Sequence, residues 1–294
     1  MANVLIVQPA SLGDICLSLR LVYSVATSYP QHQFTYLLKP SITGIAVTPP
    51  SNLEPMTIDL KKKDGTLRGL LALGRKLLYE RFDYVFDLYN SRHTNFLGNY
   101  LRFFGGTKYY SVPKRYSVRS SFFEDHIPYT KGEEYLRVYK ELFIKGGLGS
   151  NKPLSEIGIN LKSIISFPSK VVGFSPQTKR DEFLSWEDLY RSANYIIDLF
   201  SKPVLIFGCN RKDATIPPEE LRAKHKNVYF VSNLSFSQEL SVLASLELFI
   251  GVDCSSIRMA ELMNIPIFYL EDFSSMEDKI FSAKEQLIEI ITQQ

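Results

Sequence analysis

The chain has 294 residues, a length that favours two domains of about 150 residues each. Hydrophobic residues make up 45% and charged residues 22%, and no apolar run approaches the roughly 20 residues of a membrane span. Three cysteines and four histidines are scattered, which argues against a disulfide framework or a structural metal site. The first three residues lead straight into an apolar run, with no basic segment and no cleavage site, so we expect a cytoplasmic protein.

Charge is unevenly distributed along the chain. Residues 1–150 carry 19 lysines and arginines against 12 aspartates and glutamates, whereas the remaining residues carry 15 against 19. A basic first half fits an anionic partner such as a phosphorylated glycolipid at a membrane surface, and an ordinary solvated surface explains it equally well. The basic residues expected to meet such a lipid are Lys61, Lys62, Lys63, Lys108, Lys114, Arg115 and Arg119. The repeated basic–aromatic pattern of RNA-binding modules is absent, so no nucleic-acid partner is expected.

Short apolar runs alternate with helical patterns through the first half of the chain. This alternation predicts parallel strands joined by crossover helices. Strands are predicted at residues 4–8, 33–38, 56–60, 84–88 and 107–112, and helices at 12–29, 67–80, 95–104 and 133–145. Residues 150–169 have weak periodicity and contain prolines, serines and asparagines, which indicates an interdomain linker.

The same alternation restarts after the linker. Strands are predicted at residues 171–174, 204–208, 228–231, 248–251 and 266–270, and helices at 186–200, 219–224, 237–246, 256–263 and 276–291. The fold class is therefore α/β, with two Rossmann-like parallel-sheet domains that face a cleft. We place them at residues 1–165 and 166–294, and leave open that the last helix packs back on the first domain. Ligands of such sheets bind beyond the carboxyl ends of the strands, so functional residues are expected in the loops there.

The first of these loops runs from Gln8 to Asp14. A dinucleotide-binding turn needs three glycines here, and Gly13 is the single one, which counts against a nicotinamide oxidoreductase. Asp14 falls at the start of a helix, where the helix dipole favours a carboxylate. Asp14 is therefore either a structural acid or, in its ionised form, a general base for an attacking hydroxyl.

A second loop, residues 251–256, leads from a predicted strand into a helix. Its small residues let a ligand approach the backbone, and the N–H groups at a helix N-terminus suit a diphosphate. Alternatively, Asp253 and Ser255 simply cap the helix. Arg258, one turn further on, either adds a positive charge near that anion or is a solvated helix arginine.

Two further loops of the second half contain candidate donor-binding residues. Thr178, Lys179 and Arg180 follow the strand at 171–174, and the two adjacent cations either clamp phosphates or form an exposed turn. Asp213 follows the strand at 204–208 and is a weaker candidate for binding a ribose hydroxyl.

Together and in this order, these segments resemble the bacterial lipopolysaccharide heptosyltransferases, glycosyltransferase family 9, which have a GT-B fold. The resemblance is spread over most of the chain. It is carried by residues 4–7 with 11–14, 86–88 with Arg92, 172–176, 204–208, and 251–253 with Ala260 and Pro266.

The resemblance implies an inverting glycosyltransferase that moves a sugar, commonly heptose from ADP-heptose, onto a lipopolysaccharide-core acceptor without a bound metal or other cofactor. It implies that Asp14 is the catalytic base and that main-chain N–H groups of residues 253–256 bind the donor diphosphate. The expected donor-binding residues are Gly13, Thr178, Lys179, Arg180, Asp213, Asp253, Cys254, Ser255, Ser256 and Arg258. The implied partners are a nucleotide-sugar donor and an anionic glycolipid acceptor, with peripheral contact at the inner membrane.

The donor-side residues depart from the family pattern. Ser255 stands where the family has glycine, Arg258 where it has histidine, and Phe183 where a lysine is expected. These departures leave a second function open, a diverged member without donor chemistry that acts as a binding or scaffold protein. Burial or blocking of Asp14, together with failure to bind any nucleotide-sugar, would favour that second function.

Overall fold

A computed structural model describes residues 1–116, 127–150, 159, 170–177, 184–208, 225–274 and 276–292. Residues 290–292 are described by their backbone alone. The chain divides into two compact units, Met1–Ile159 and Asn160–Gln294. Each unit contains a five-stranded parallel sheet, which confirms the predicted α/β class with two parallel-sheet domains. The predicted boundary between residues 165 and 166 lies outside the described residues, and the cleft stays a prediction.

The sheet of the first unit has the order β3-β2-β1-β4-β5, with all neighbours parallel. Its strands are β1 (Asn3–Val7), β2 (Gln33–Leu38), β3 (Leu53–Thr57), β4 (Tyr84–Asp87) and β5 (Lys108–Ser111). Its helices are α1 (Leu12–Ser28), α2 (Leu67–Tyr79), α3 (Arg92–Gly105) and α4 (Gly132–Lys145).

The third strand lies three residues earlier than the sequence predicts. The predicted strand began at Met56, directly after Pro55. In the structure β3 is the edge strand, and Pro55 pairs in register with Tyr36 of β2. An edge strand tolerates proline because one of its sides has no ladder to complete.

The sheet of the second unit has the order β10-β9-β6-β7-β8, again parallel throughout. Its strands are β6 (Val171–Ser175), β7 (Val204–Ile206), β8 (Val228–Phe230), β9 (Leu246–Gly251) and β10 (Ile267–Tyr269). Its helices are α5 (Trp186–Phe200), α6 (Phe236–Leu243), α7 (Ser255–Leu262), α8 (Met276–Ser282) and α9 (Lys284–Thr292). The helix predicted at 219–224 lies outside the described residues.

The single helix predicted at 276–291 is wrong, because the chain forms two helices, α8 and α9, that meet at Ala283. Both contribute to the core of the second unit: Met276, Ile280 and Leu287 are buried with residues of the sheet and of α5. Packing of the last helix on the first unit stays a prediction.

Helix α1 of the first unit is buried along most of its length, and α4 packs against it. The burial positions the start of this helix, and the loop from β1 that leads into it, firmly in the unit. Within the described ranges, no helix is long and apolar enough to cross a membrane.

Candidate functional site

Asp14 lies in the first turn of α1, as the sequence predicts, and a capping box fixes it there. Ser11 is the N-cap; its hydroxyl accepts a hydrogen bond from the Asp14 N–H at 3.3 Å, and the Asp14 carboxylate accepts one from the Ser11 N–H at 3.4 Å. Gly13 lies in the same turn. The reciprocal bonds satisfy two backbone donors that a helix start leaves open, so the carboxylate is held by local structure.

The Asp14 carboxylate is also covered. Asp14 is 1% exposed, and its Oδ1 atom accepts a hydrogen bond from the backbone N–H of Ile127 at 2.7 Å. A general base needs a free oxygen within hydrogen-bond reach of its substrate. In this state of the protein, the segment that contains Ile127 occupies one of the two oxygens, a feature that the sequence did not reveal.

A buried polar cluster lies beneath Asp14. The Gln8 Oε1 atom accepts hydrogen bonds from the Tyr36 hydroxyl at 2.5 Å and from the Ser18 hydroxyl at 2.7 Å, while Gln8 Nε2 donates to the carbonyl of Asp14 at 3.3 Å. Burial raises the pKa of Tyr36 far above that of an ordinary phenol, so the hydroxyl stays neutral and donates. The cluster therefore ties the first turn of α1 to β1 and β2 through side chains.

Tyr139 of α4 adds a further hydroxyl to this region. It is fully buried, and among the described residues its hydroxyl has no hydrogen-bond partner. Burial and then the charge of Asp14 raise its pKa well above the ordinary value, with smaller contributions from Tyr36 and Asp87. Tyr139 therefore stays a neutral phenol in the folded protein.

Asp87, at the carboxyl end of β4, is a second buried carboxylate. Its Oδ1 atom accepts from the N–H groups of Tyr89 at 3.0 Å and Asn90 at 2.7 Å, and Oδ2 accepts from the Tyr109 hydroxyl at 3.1 Å. Burial raises the pKa of Asp87 to about 6, although these hydrogen bonds oppose the shift. Asp87 therefore shapes the loop that leads into α3, where Asn90 has a φ of 47°.

In the sequence, Asp87 belongs to one of the segments that resemble the family, and no role is predicted for it. An acidic residue at the end of an otherwise apolar strand was the available signal. What the sequence could not show is that its hydrogen-bond donors come from residues 2, 3 and 22 positions away.

In the second unit, helix α7 begins without a side-chain cap. Its N-cap is Cys254, in extended conformation, and the Cys254 side chain makes no capping hydrogen bond. The interpretation that Asp253 and Ser255 cap this helix is therefore wrong, because neither residue is at the N-cap position. Ser255 is exposed, Asp253 is half-buried, and Cys254 and Ser256 are buried.

Small polar residues from three strand ends converge at the start of α7. A Cβ atom added to Gly208, after β7, would lie 3.3 Å from Gln177 Oε1, 3.4 Å from Ser175 Oγ and 3.9 Å from Ser256 Oγ. The Cys254 thiol donates to Ser175 Oγ at 3.4 Å. Burial raises the pKa of that thiol, so it is neutral. Gly208 has a φ of +77°, a conformation that side chains rarely adopt.

Arg258 is neither solvated nor exposed. It is 3% exposed, and its Nη1 donates to Glu261 Oε2 at 2.9 Å, one turn further along α7. The interpretation as a solvated helix arginine is therefore wrong, and a role near a bound anion stays a prediction.

Thr178, Lys179, Arg180 and Asp213 lie outside the described residues. In the parts of the chain that the structure describes, no three His, Cys, Asp or Glu side chains are grouped to hold a metal.

Comparisons with known proteins show the fold. No family model and no curated protein matches the chain. Among solved structures, Escherichia coli heptosyltransferase WaaC with ADP-2-deoxy-2-fluoro heptose is 16% identical, with 91% of this chain and 88% of that chain covered and a TM-score of 0.66. A glycosyltransferase family 9 protein from Veillonella parvula is 15% identical, with 100% and 98% covered and a TM-score of 0.70.

Escherichia coli ADP-heptose lipopolysaccharide heptosyltransferase II is also similar, at 15% identity, with 99% of each chain covered and a TM-score of 0.67. These likenesses confirm that the chain has the two-sheet α/β fold of heptosyltransferases. At such identities they establish the fold, and the activity has to be argued from the residues.

Proposed function

We propose that the protein is an inverting glycosyltransferase that moves heptose from ADP-heptose to a lipopolysaccharide-core acceptor. The observation that supports this most is the position of Asp14. In a fold shared with heptosyltransferases, a buried carboxylate stands in the first turn of the helix that follows β1, where the family resemblance expects the catalytic base.

In the proposed mechanism, Asp14 takes the proton of an acceptor hydroxyl. The resulting oxygen attacks the anomeric carbon from the face opposite the nucleotide, the bond to the diphosphate oxygen breaks, and the nucleoside diphosphate leaves with the negative charge. A positioned general base typically contributes a rate factor of about 100 to 10,000. The helix dipole and the capping box of α1 favour the carboxylate for this role.

The donor diphosphate, in this proposal, is bound at the start of α7. The absence of a side-chain cap and the hydroxyls of Ser175 and Ser256 suit an anion there, and Gly208 lets it come close to the backbone. Lys179 and Arg180 are proposed to neutralise it, Asp213 to bind the ribose, and Arg258 to add positive charge. Backbone donors aimed at the leaving group are worth about 3 kcal/mol each in comparable sites. No metal or other cofactor is part of the proposal.

The burial of Asp14 adds a requirement. Because Ile127 donates to Oδ1, an acceptor hydroxyl can reach that atom after the Ile127 segment moves away. The same observation favours the second candidate function, a diverged member that binds but does not transfer. The proposed acceptor is an anionic glycolipid, and the protein is proposed to work in the cytoplasm at the inner membrane surface.

A thermal-shift screen separates these functions. The protein is heated with ADP, UDP, GDP, CDP and dTDP, with and without their sugars, and with NADH as control. A ligand at a hundredfold excess over its Kd stabilises the fold by about 2.7 kcal/mol. Selective stabilisation by ADP and ADP-heptose is expected. No response to any nucleotide from a well-folded sample would favour the non-catalytic function, and a response to NADH would contradict both.

A further inference from the structure

Three large aromatic side chains are exposed at one end of the first unit. Tyr79 ends α2 and is 87% exposed, while Phe103 and Phe104 end α3 and are 82% and 63% exposed. The Tyr100 and Phe104 rings have centroids 4.7 Å apart, and those of Phe103 and Phe104 lie 5.0 Å apart. We call these four residues the aromatic edge.

The two helices hold the aromatic edge together. A Cβ atom added to Gly74 of α2 would lie 2.8 Å from the Tyr100 ring of α3, and one added to Gly105 would lie 3.0 Å from Leu78 Cδ2. The ends of α2 and α3 are therefore adjacent. Because crossover helices run back toward the starts of the next strands, this edge lies opposite the strand ends that bear Asp14 and Asp87.

Exposed aromatic rings of this kind need an explanation. Contiguous exposed apolar patches on soluble proteins mark interaction sites for proteins, ligands or membranes. Phe103 and Phe104 are neighbours in sequence and in space, and both point away from the core that Leu97 and Leu101 share with α2.

The charges around the aromatic edge indicate an anionic partner. Arg75 and Lys76 lie one helical turn before Tyr79, Arg102 precedes Phe103, and all three are exposed. Neither α2 nor α3 contains an aspartate or glutamate, and residues 88–123 contain none at all. Among the described residues, no ion pair involves these three cations.

Two acidic residues lie close to this end, Glu80 and Asp83. The Asp83 carboxylate accepts a hydrogen bond from the Asn3 N–H at 2.8 Å, so a backbone donor partly compensates its negative charge. These two acidic residues do not reverse the sign of the local charge, because two further cations are exposed beside them. Arg81 lies between them in the chain, and the Lys108 N–H donates to the carbonyl of Asp83.

We propose that the aromatic edge and its basic rim bind the surface of an anionic lipid bilayer. Aromatic rings enter the interface between lipid headgroups and acyl chains, and lysines and arginines are attracted to anionic headgroups. A second copy of this chain fits worse, because the same surface on both subunits brings like charges together. The inference does not rest on the proposed function, because this edge lies opposite Asp14 and would not present a glycolipid acceptor to that residue.

The test is co-sedimentation of the full chain with vesicles, without any nucleotide. Phosphatidylcholine vesicles are compared with vesicles of equal parts phosphatidylcholine and phosphatidylglycerol. Binding to the anionic vesicles is expected, and it weakens as salt is raised. Phe103→Ser with Phe104→Ser is expected to lower the partition constant at least tenfold. Arg75→Gln, Lys76→Gln and Arg102→Gln together are expected to lower it about a hundredfold.

Matched controls come from other exposed surfaces. Phe281→Ser changes a phenylalanine of α8 that is 65% exposed, and Arg137→Gln, Lys140→Gln and Lys145→Gln remove three exposed cations of α4. Both controls should bind vesicles like the original chain. Equal loss in the controls, or binding indifferent to vesicle charge, would overturn the proposal.

Two other results would also overturn it. One is a dimer that the Phe103→Ser, Phe104→Ser variant dissociates while no form binds vesicles. The other is binding to single-stranded RNA without binding to vesicles. Stabilisation by nucleotides is measured separately on the same variants, so failure of the membrane proposal and failure of the transferase proposal give different results.

Discussion

The starts of α1 and α7 both follow the carboxyl end of a parallel strand, β1 and β9 respectively, yet they are built differently. The start of α1 is closed: Ser11 and Asp14 form a capping box, and Asp14 is buried under Ile127. The start of α7 differs: its N-cap residue, Cys254, makes no side-chain capping hydrogen bond. A helix start that carries its own negative charge suits base chemistry, whereas one without a side-chain acceptor suits an external anion.

The largest effect is expected when the charge of Asp14 at the start of α1 is removed. Asp14→Asn keeps the size of the side chain and an oxygen for the Ile127 N–H, but it removes the proton acceptor. Turnover is expected to fall about a thousandfold, since general base catalysis supplies factors of this order. Stabilisation by the donor nucleotide is expected to be unchanged, as measured by thermal shift.

Ser11→Ala is the matched control for that variant. It removes the cap of α1 and leaves the carboxylate, so it is expected to lower the free energy of unfolding by about 1 kcal/mol with little loss of turnover. If both variants lost turnover equally, Asp14 would act as a helix cap and not as a base.

The next largest expected effect is on the pH dependence of stability, through Asp87, the second buried carboxylate of the first unit. The pKa of Asp87 is raised from 3.8 to about 6, so the folded protein holds this proton more tightly than the unfolded chain does. Ionisation of Asp87 therefore costs stability as the pH rises from about 4 to about 6, by about 3 kcal/mol in total. In Asp87→Asn this cost is absent.

Denaturant unfolding of both proteins across this pH range checks the prediction. The free energy of unfolding of the original chain, minus that of the variant, should fall by about 2 kcal/mol between pH 4 and pH 7, which is most of the total, and stay level above about pH 7. A difference that does not change with pH would show that burial does not raise the pKa of Asp87 as described.

At the start of α7, Gly208→Ala tests the approach of a ligand to the backbone. The added methyl would lie 3.4 Å from Ser175 Oγ, in a conformation with φ +77°. The variant is expected to lose about 1 kcal/mol of stability and to bind the donor nucleotide about tenfold more weakly.

The chain offers a close control in Gly106→Ala. Gly106 has a φ of +68°, and an added Cβ would meet no atom within 4 Å. It should lose similar stability and keep the affinity of the protein for the nucleotide. Equal loss of affinity in both variants would mean that Gly208 acts through backbone strain alone.

Giving α7 a cap is expected to have the smallest effect. Serine is a strong N-cap residue, so Cys254→Ser is expected to raise the free energy of unfolding by about 1 kcal/mol. The new hydroxyl would compete with an anion for the same N–H groups, and nucleotide affinity should fall several-fold in titration calorimetry. Tighter nucleotide binding in this variant would contradict an anion site at α7.

Local pattern predicted most of the fold. The limits of α5 were predicted to the residue, because periodicity is a property of neighbouring residues. The prediction failed where context decides: Pro55 lies inside an edge strand, and α8 and α9 separate at Ala283 without a glycine or proline.

The candidate site was predicted less completely, for the same reason. The position of Asp14 in the first turn of α1 follows from residues near it in the chain. Its burial depends on Ile127, which is 113 residues away, and the cluster around Gln8 depends on Tyr36, 28 residues away. Contacts at such separations are set by packing of whole elements and leave no local pattern.

The central claim is tested most directly by following transfer itself. The protein is incubated with ADP-heptose and a deacylated lipopolysaccharide-core acceptor that lacks heptose, and the acceptor is analysed by mass spectrometry. The account predicts that the acceptor gains the mass of one heptose with the original chain and far less with Asp14→Asn. No gain with a chain that ADP-heptose stabilises, or an equal gain with Asp14→Asn, would contradict it.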